Sequence, residues 1–261
     1  MSGEVETPLE ISGSRRIPRF LDSARNDKAP QAARSLFADL TIYHDESPHS
    51  AAMNMAIDEA LLETAVVPTL RFYRWRSPAL SFGYFGKFSD VATYAAERDL
   101  IRRWTGGGIV FHGDDLTYSI VIPSGDPVFD ESSIAIYEKI HRALCGALAD
   151  HNQGAKLVPV ANQVRAGDRG SCDNDCFANP VRADVMMDGR KIAGAAQRRT
   201  RRGLLQQGSI QGFARKTDLA QKFARALSAS CSEFEANEEI FRRAREFARQ
   251  KYGTESWQRR R

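Results

Sequence analysis

Cysteine is scarce in this chain, with four residues in 261, and no two of them form a CxxC pair. So few cysteines argue against a disulfide framework, and without a secretory signal they favour reduced thiols. No stretch of about 18 apolar residues is present, so the sequence predicts no membrane-spanning helix. We therefore expect a cytoplasmic protein that has no membrane partner.

A strong excess of one charge is also lacking. The chain has 37 Lys and Arg against 33 Asp and Glu, a net charge of +4. This mild excess suits an acidic protein partner and suits an ordinary solvated surface equally well. A basic run at Arg198, Arg199, Arg201 and Arg202 has no aromatic residues interleaved, as a single-stranded nucleic-acid site would have. We prefer a docking surface for an acidic protein and expect no nucleic-acid partner.

Apolar periodicity predicts four helices and a set of short strands. The helices are expected around Ala52–Leu61, Tyr137–Leu148, Leu219–Leu227 and Ile240–Phe247, with Ser50 as the N-cap of the first. Strand-like segments surround Leu40, Leu70–Trp75, Leu80–Tyr84, Leu100–Trp104, Ile109–Phe111, Thr117–Ile122, Ala183–Met187, Arg190–Ala193 and Leu204–Ile210. Strands joined by hairpins and short turns, with few long helices, predict an α+β domain in which helices flank a mixed sheet.

Three consecutive glycines, Gly106, Gly107 and Gly108, lie between strand-like segments. Glycine costs conformational entropy there, so some local requirement must favour it. Missing side chains let the backbone approach another surface closely, which suits a groove for a long, thin ligand. A strained turn or bulge explains the spacing equally well. The phosphate-binding loops do not fit, because no GK[ST] follows and GxGxxG is absent.

Polar residues flank these glycines on both sides. Arg102 and Arg103 can meet a phosphate or a carboxylate, and a structural role is as plausible. His112 can act as a base, although a lone histidine is more often a satisfied hydrogen-bonding residue.

Cys176 lies in a loop rich in glycine, aspartate and asparagine, just before the hairpin signal Asp188-Gly189. A thiolate is the nucleophilic form of cysteine, so a catalytic cysteine needs a nearby positive charge that lowers its pKa. Lys191, on the returning strand, can supply that charge. From Gly194 to Gln197 the small residues again leave room for a ligand. Most loop cysteines and strand lysines are bystanders, so these residues alone leave the chemistry open.

Together these segments resemble the lipoate–protein ligase/octanoyltransferase family, which has the biotin/lipoate attachment fold. The similarity runs from about Leu40 to beyond Ile210, in the blocks MNMAIDEA (Met53–Ala60), RRWTGGGIVFH (Arg102–His112), DGRKIAGAAQ (Asp188–Gln197) and QGSI (Gln207–Ile210). The resemblance implies a BPL/LPL catalytic domain over residues 37–252. The composition predicts a flexible tail over 1–36 before it and a frayed, basic tail over 253–261 after it. It implies that the substrate is bound by Arg103, Gly106, Gly107, Gly108, His112, Gly194 and Gln197.

The position of Cys176 before the motif lysine is similar to octanoyltransferases of the LipM type. That branch implies Cys176 and Lys191 as catalytic residues and octanoyl-acyl carrier protein as the acyl donor. The acceptor is then a lysine of a lipoyl domain or of glycine cleavage H protein, and no cofactor or metal is needed.

Three alternatives stay open at this point. An ATP-dependent lipoate–protein ligase would form an acyl-adenylate with ATP and Mg, and would leave Cys176 idle. Such ligases typically carry a further C-terminal domain, for which the segment after Ile210 is short. An amidotransferase would take octanoyl from another carrier protein, and a non-catalytic protein of this fold would bind nucleic acid through its basic run.

Overall fold

Eleven strands and five α-helices form in the parts of the chain that the computed structural model describes, residues 35–149, 154–158, 181–212 and 217–260. The strands are β1 (Asp39–His49), β2 (Thr69–Trp75), β3 (Ala79–Phe82), β4 (Asp99–Arg102), β5 (Val110–His112), β6 (Asp115–Pro123), β7 (Lys156–Leu157), β8 (Val185–Met187), β9 (Arg190–Arg199), β10 (Gly203–Gln211) and β11 (Ser230–Glu233). The helices are α1 (Ala51–Thr64), α2 (Ser133–Ala149), α3 (Thr217–Leu227), α4 (Glu238–Phe247) and α5 (Glu255–Gln258).

Eight of these strands form one mixed sheet, in the order β11-β1-β2-β6-β10-β9-β8-β7. In it, β1 pairs in parallel with β2 and β11, and the other pairs are antiparallel. A smaller sheet has the order β4-β3-β5, with β3 parallel to β4 and antiparallel to β5. The predicted α+β fold, a mixed sheet with flanking helices, is confirmed.

Helices cover the large sheet on both faces because its central strands carry apolar side chains on both faces. Leu204 of β10 joins a buried cluster with Leu144 of α2 and Phe223 of α3. The next residue, Leu205, points the opposite way, as strand alternation requires, into a cluster with Leu61 of α1. The four predicted helices are thus confirmed. None of the helices in these described ranges is long and apolar enough to cross a membrane.

Two local predictions agree with the backbone. The side-chain oxygen of Ser50 accepts the Met53 N–H and caps α1. Asp188 and Gly189 join β8 to β9 with φ values of 50° and 76°, the left-handed conformation that a type I′ turn needs.

The carboxyl-terminal segment corrects the sequence prediction. We expected residues 253–261 to fray, but α5 packs beside β4 and Trp257 is only 9% exposed. The buried Arg102 guanidinium donates to the backbone carbonyls of Trp257, Gln258 and Arg260 at 2.9 Å each. Trp257 is the apolar residue that anchors this segment. The arginines that follow it made the segment resemble a solvated tail in the sequence. The other domain boundaries stay predictions.

Candidate active site

One pocket is lined by residues of both sheets. Four of the predicted substrate-binding residues line it: Arg103, Gly107, His112 and Gly194. Much of the remaining wall is apolar or small, from Met55, Trp75, Val110, Ala195 and Ala196. The structure thus brings the glycine block and the start of β9 to one cavity, although they lie far apart in sequence.

The backbone conformation at Gly107 favours glycine. Its φ is +86°, and an added Cβ would lie 3.2 Å from Arg103 Nη2 and 3.4 Å from Ala196 Cβ. A Cβ on Gly83 would lie 2.0 Å from the Gly107 carbonyl oxygen. The expected close approach of the backbone is therefore present. Gly106 and Gly108 instead turn their carbonyl oxygens to Arg103 Nη2, at 3.0 and 2.8 Å.

His112 is held on both ring nitrogens. Nδ1 lies 2.8 Å from Asp115 Oδ2, and Nε2 lies 2.6 Å from Ser81 Oγ. Arg103 Nη1 donates to the same Ser81 hydroxyl at 2.6 Å, and the Trp75 ring stacks on the imidazole at 4.1 Å. Both ring nitrogens thus have protein partners. His112 therefore shapes the pocket wall and does not present a free base to it.

Asp115 anchors this chain of hydrogen bonds. Its carboxylate also accepts the Thr117 and Ser209 hydroxyls, at 2.8 and 2.7 Å. Burial by itself would raise the pKa of Asp115, but the His112 ring and the hydrogen bonds lower it to about 2. The carboxylate is thus ionised at neutral pH and fixes the wall behind it.

A second buried network supports the floor of the pocket. Arg71 pairs with Asp45 and Asp58, each at 2.7 Å. Asp58 in turn accepts Gln207 Nε2 at 2.7 Å, and Thr105 donates to Gln207 Oε1 at 2.8 Å. The segment after Arg103 is thereby tied to β10 and α1.

Lys191 lies directly behind Gly194. A Cβ on Gly194 would be 2.5 Å from Lys191 Cε and 2.8 Å from Nζ, so only glycine leaves room for the lysine there. The Lys191 ammonium pairs with Asp184 Oδ2 at 2.7 Å, with the two side chains 1% and 0% exposed. The structure therefore places a buried ammonium group beside the pocket lining.

Helix α2 holds the partner of this lysine. The Tyr137 hydroxyl donates to Asp184 Oδ1 at 2.6 Å and accepts the Ala195 N–H at 3.1 Å. One turn later, His141 Nδ1 lies 2.7 Å from the carbonyl oxygen of Ala183, whose φ is +66°. Burial lowers the pKa of His141 to about 4, so its ring is neutral at neutral pH.

Other candidate residues are placed away from the pocket lining or cannot be placed. Cys172 and the predicted nucleophile Cys176 lie outside the described residues. Cys145 is half-buried on α2, and burial raises the pKa of its thiol to about 11. Gln197 Nε2 donates to Gln206 Oε1 at 2.8 Å, on the neighbouring strand.

Sequence reasoning missed several residues of the site, among them Asp184, Ser81 and Tyr137. Asp184 opens an otherwise apolar strand segment, and a lone acid there is the signal that could have found it. Ser81 similarly interrupts the apolar strand β3. Tyr137 carried no such signal, because an aromatic residue fits the apolar face of α2 without any polar role.

The fold is that of lipoate–protein ligases. A lipoate-protein ligase A bound with ATP superimposes with a TM-score of 0.65 at 22% identity, covering 84% of this chain and 98% of that chain. A bi-partite lipoate protein ligase from Thermoplasma acidophilum, described with its E2 lipoyl domain, gives a TM-score of 0.61 at 22% identity, covering 85% and 96%. Likeness at this identity establishes the architecture alone.

The sequence comparison then assigns the family. A profile of the lipoyl protein ligase A/B catalytic domain matches residues 50–242, and the chain belongs to that family.

Curated relatives carry a narrower name within that family. Octanoyltransferase LipM of Oceanobacillus iheyensis is 38% identical over 64% of this chain and 62% of its own length. The octanoyltransferases LipM of Brevibacillus brevis and Symbiobacterium thermophilum are 35% and 38% identical, over 62% and 60% of this chain and the same shares of their own lengths. The chain thus spans about three fifths of the length of these relatives.

Proposed function

We propose that this chain is an octanoyltransferase that uses a thioester on Cys176. It takes octanoyl from octanoyl-acyl carrier protein and passes it to a lysine of a lipoyl domain or of glycine cleavage H protein. Relatives named octanoyltransferase LipM support this proposal. The observation that carries it is the Lys191 ammonium, held by Asp184 immediately behind Gly194 of the pocket.

The pocket wall has the apolar character that a hydrocarbon chain needs. Met55, Val110 and Ala196 offer apolar contacts, and each buried methylene contributes about 0.8 kcal/mol. Arg103 and His112 are hydrogen-bonded to the same Ser81 hydroxyl. These polar groups of the wall already have hydrogen-bond partners within the protein, so an apolar chain can lie against them without leaving them unpaired.

The proposed reaction has two acyl transfers. In the first, the Cys176 thiolate attacks the thioester carbonyl, the carbon–sulfur bond to the donor breaks, and the donor leaves as a thiolate. In the second, a neutral lysine amine of the acceptor attacks the Cys176 thioester and forms an amide. The carbon–sulfur bond to Cys176 breaks and releases its thiolate, and the proton lost by the nitrogen is taken up by the departed donor thiolate. Lys191 would stabilise the thiolate and the oxyanion that develops in each step.

The free energies of these two acyl transfers are such that the proposed reaction requires neither ATP nor a metal. Exchange between two thioesters is nearly isoenergetic, and the amide is more stable than either thioester. The proposal requires the Cys176 sulfur within reach of Lys191, and it places the reaction in the cytoplasm.

The proposal is tested by intact-mass analysis after mixing the protein with octanoyl-acyl carrier protein in the absence of ATP. We expect one added octanoyl group on the wild-type chain and none on Cys176→Ala. Cys145→Ala is the matched control and should label normally, because burial raises the pKa of that thiol to about 11 and disfavours its thiolate. Adding a lipoyl domain should then discharge the labelled enzyme and octanoylate the domain.

The same experiment separates the alternatives. Transfer to the lipoyl domain only with ATP and free octanoate, retained by Cys176→Ala, would contradict the proposal and establish an ATP-dependent ligase. Labelling from octanoylated H protein but not from octanoyl-acyl carrier protein would identify an amidotransferase. Salt-sensitive nucleic-acid binding with no acyl transfer would identify a non-catalytic protein.

A further inference from the structure

Three cationic side chains that the proposed reaction does not use meet around three aromatic rings beside the glycine segment. Each cation lies over two of the rings, and each ring is shared by two cations. The cations, called the cation cluster below, are Arg198, Lys251 and Arg260, and the rings are those of Tyr84, Trp104 and Trp257.

The contact distances show a closed arrangement. The Arg198 guanidinium carbon lies 5.2 Å from the ring centroids of both Tyr84 and Trp104. Lys251 Nζ lies 4.2 Å from the Trp104 ring and 4.6 Å from the Trp257 ring. Aromatic faces attract cations, so the rings hold these charges together despite their mutual repulsion.

The carboxylates around the cation cluster do not neutralise its positive charge. Among the described residues, the carboxylate bonded to it is Glu59, whose Oε2 lies 2.6 Å from both Lys251 Nζ and the Tyr252 hydroxyl. Burial lowers the pKa of Lys251, and the charges of Arg198 and Arg260 lower it further against the opposing effect of Glu59. Three positive charges thus face one carboxylate.

One hydrogen-bond donor of Arg198 has no acceptor among the described residues. Its Nε is buried and has no hydrogen-bond partner in the described part of the chain. A guanidinium group also matches the oxygens of a phosphate in a bidentate geometry.

The cation cluster borders the pocket. Tyr84 donates its N–H to the Thr105 carbonyl at 2.8 Å, next to the glycine block. Arg198 follows the pocket residue Ala196 by two positions on β9, so the two share one face of the sheet. At about 3.3 Å per residue, the backbone at Arg198 lies about 13 Å along the strand from Gly194, behind which the Lys191 ammonium lies.

We propose that the cation cluster binds the phosphate of the donor's phosphopantetheine arm, an inference that rests on the proposed function. The arm ends in the thioester that Cys176 would attack, and its phosphate lies at the opposite end of a flexible chain. A phosphate held at Arg198 and Arg260 would anchor that chain at the pocket edge and lower the entropy cost of presenting the thioester.

Two donors that differ only in the phosphate test this site: octanoyl-phosphopantetheine and octanoyl-pantetheine. The readout is kcat/KM for octanoylation of the enzyme, taken as the ratio between the two donors. We expect the wild-type enzyme to prefer the phosphorylated donor. Arg198→Gln and Arg260→Gln should each reduce that preference about tenfold, as expected for one charge-assisted hydrogen bond.

Arg201→Gln is the matched control, because Arg201 is an exposed arginine of the same basic run and lies in the turn between β9 and β10. It should keep the wild-type ratio. Equal kcat/KM for both donors in the wild-type enzyme overturns the proposal, and so does a ratio that Arg198→Gln and Arg260→Gln leave unchanged.

Two further outcomes separate the levels of inference. If the variants slow only the reaction with intact octanoyl-acyl carrier protein, the cation cluster docks acidic side chains of the carrier and the phosphate assignment is wrong. If neither small donor nor the carrier octanoylates the wild-type enzyme, the octanoyltransferase proposal itself is wrong, and the phosphate site falls with it.

Discussion

Lys191 and Asp184 are buried together, and the carboxylate has further donors. Asp184 accepts the Tyr137 hydroxyl at 2.6 Å and the Val181 N–H at 2.7 Å. Removing one partner of a buried pair costs about 3–5 kcal/mol, since it leaves the other charge uncompensated. The ammonium is therefore fixed before any substrate arrives. In the proposed reaction, a fixed charge stabilises an oxyanion without reorganising at the moment of transfer.

His141 predicts how stability depends on pH. Burial lowers its folded-state pKa from 6.5 to about 4, so the unfolded chain binds the proton more readily. This residue's contribution to stability is fully present above pH 6.5 and is lost as the pH falls from about 6.5 to about 4. By pH 5 the wild-type chain should lose about 2 kcal/mol through this residue alone.

The measurement is the free energy of unfolding in urea at pH 7 and pH 5, for the wild-type chain and for His141→Gln. The variant lacks the titrating ring, so its stability should fall less between the two pH values. Equal losses for the two chains would show that His141 does not keep a lowered pKa in the folded state.

At the scale of elements, α2 holds the segment just before β8, where Asp184 lies. Tyr137 and His141 are four residues apart and share one face of the helix. They contact Asp184 and the carbonyl of Ala183, so one helix positions the acid that holds Lys191. The left-handed φ of Ala183, +66°, is held within these contacts.

Tyr137→Phe tests this positioning role. The change removes a donor to Asp184 and leaves the Ala195 N–H without its partner, so we expect a loss of about 1–3 kcal/mol in stability. If the proposed reaction holds, enzyme octanoylation should also slow, and the pH at which it begins should shift because Lys191 is less well placed. Quenched time courses of octanoylation, analysed by mass spectrometry across a pH series, measure both the rate and the pH at which the reaction begins.

Tyr118→Phe is the matched control for that variant. Tyr118 also has a buried hydroxyl, 3.2 Å from His141 Nε2 and 3.3 Å from Gln206 Nε2, and among the described residues it makes no hydrogen bond to Asp184. It should lose stability while keeping the wild-type pH profile. Identical pH profiles for Tyr137→Phe and the wild type would reduce Tyr137 to a purely structural residue.

The sequence could predict those features that depend on residues close together in the chain. The Ser50 cap and the Asp188-Gly189 turn depend on neighbouring residues, and both were predictable. The convergence of the glycine block with Gly194 followed only from family resemblance. The pairing of Tyr137 with Asp184 depends on tertiary packing across 47 positions, for which no local pattern exists.

At the scale of the whole molecule, the carboxyl-terminal segment closes the structure over β4. Arg102 is a buried guanidinium whose acceptors include three backbone carbonyls more than 150 positions later in the chain. Backbone acceptors carry no sequence signature, which is why a basic terminal segment resembled a solvated tail. Trp257 and Arg260 of the same segment belong to the aromatic rings and cations beside the glycine block, so closure of the fold also builds the proposed phosphate site.

Deleting residues 254–261 should therefore destabilise the whole domain. The deletion removes the three carbonyl acceptors of Arg102 in this segment and the buried Trp257 ring. Loss of the buried aromatic ring and of these hydrogen bonds to a charged group should lower the free energy of unfolding by at least about 3 kcal/mol. Arg102→Met in the truncated chain should recover part of this loss, because it removes the uncompensated charge. Arg259→Gln in the full chain is the control, since Arg259 is exposed and pairs with the exposed Glu255 at 2.7 Å, and it should change stability by about 0.5 kcal/mol or less. The free energy of unfolding in urea is measured for the full chain, the truncated chain, the truncated chain with Arg102→Met and the full chain with Arg259→Gln. A truncated chain as stable as the full one would contradict this prediction and would show that residues 254–261 do not stabilise the domain.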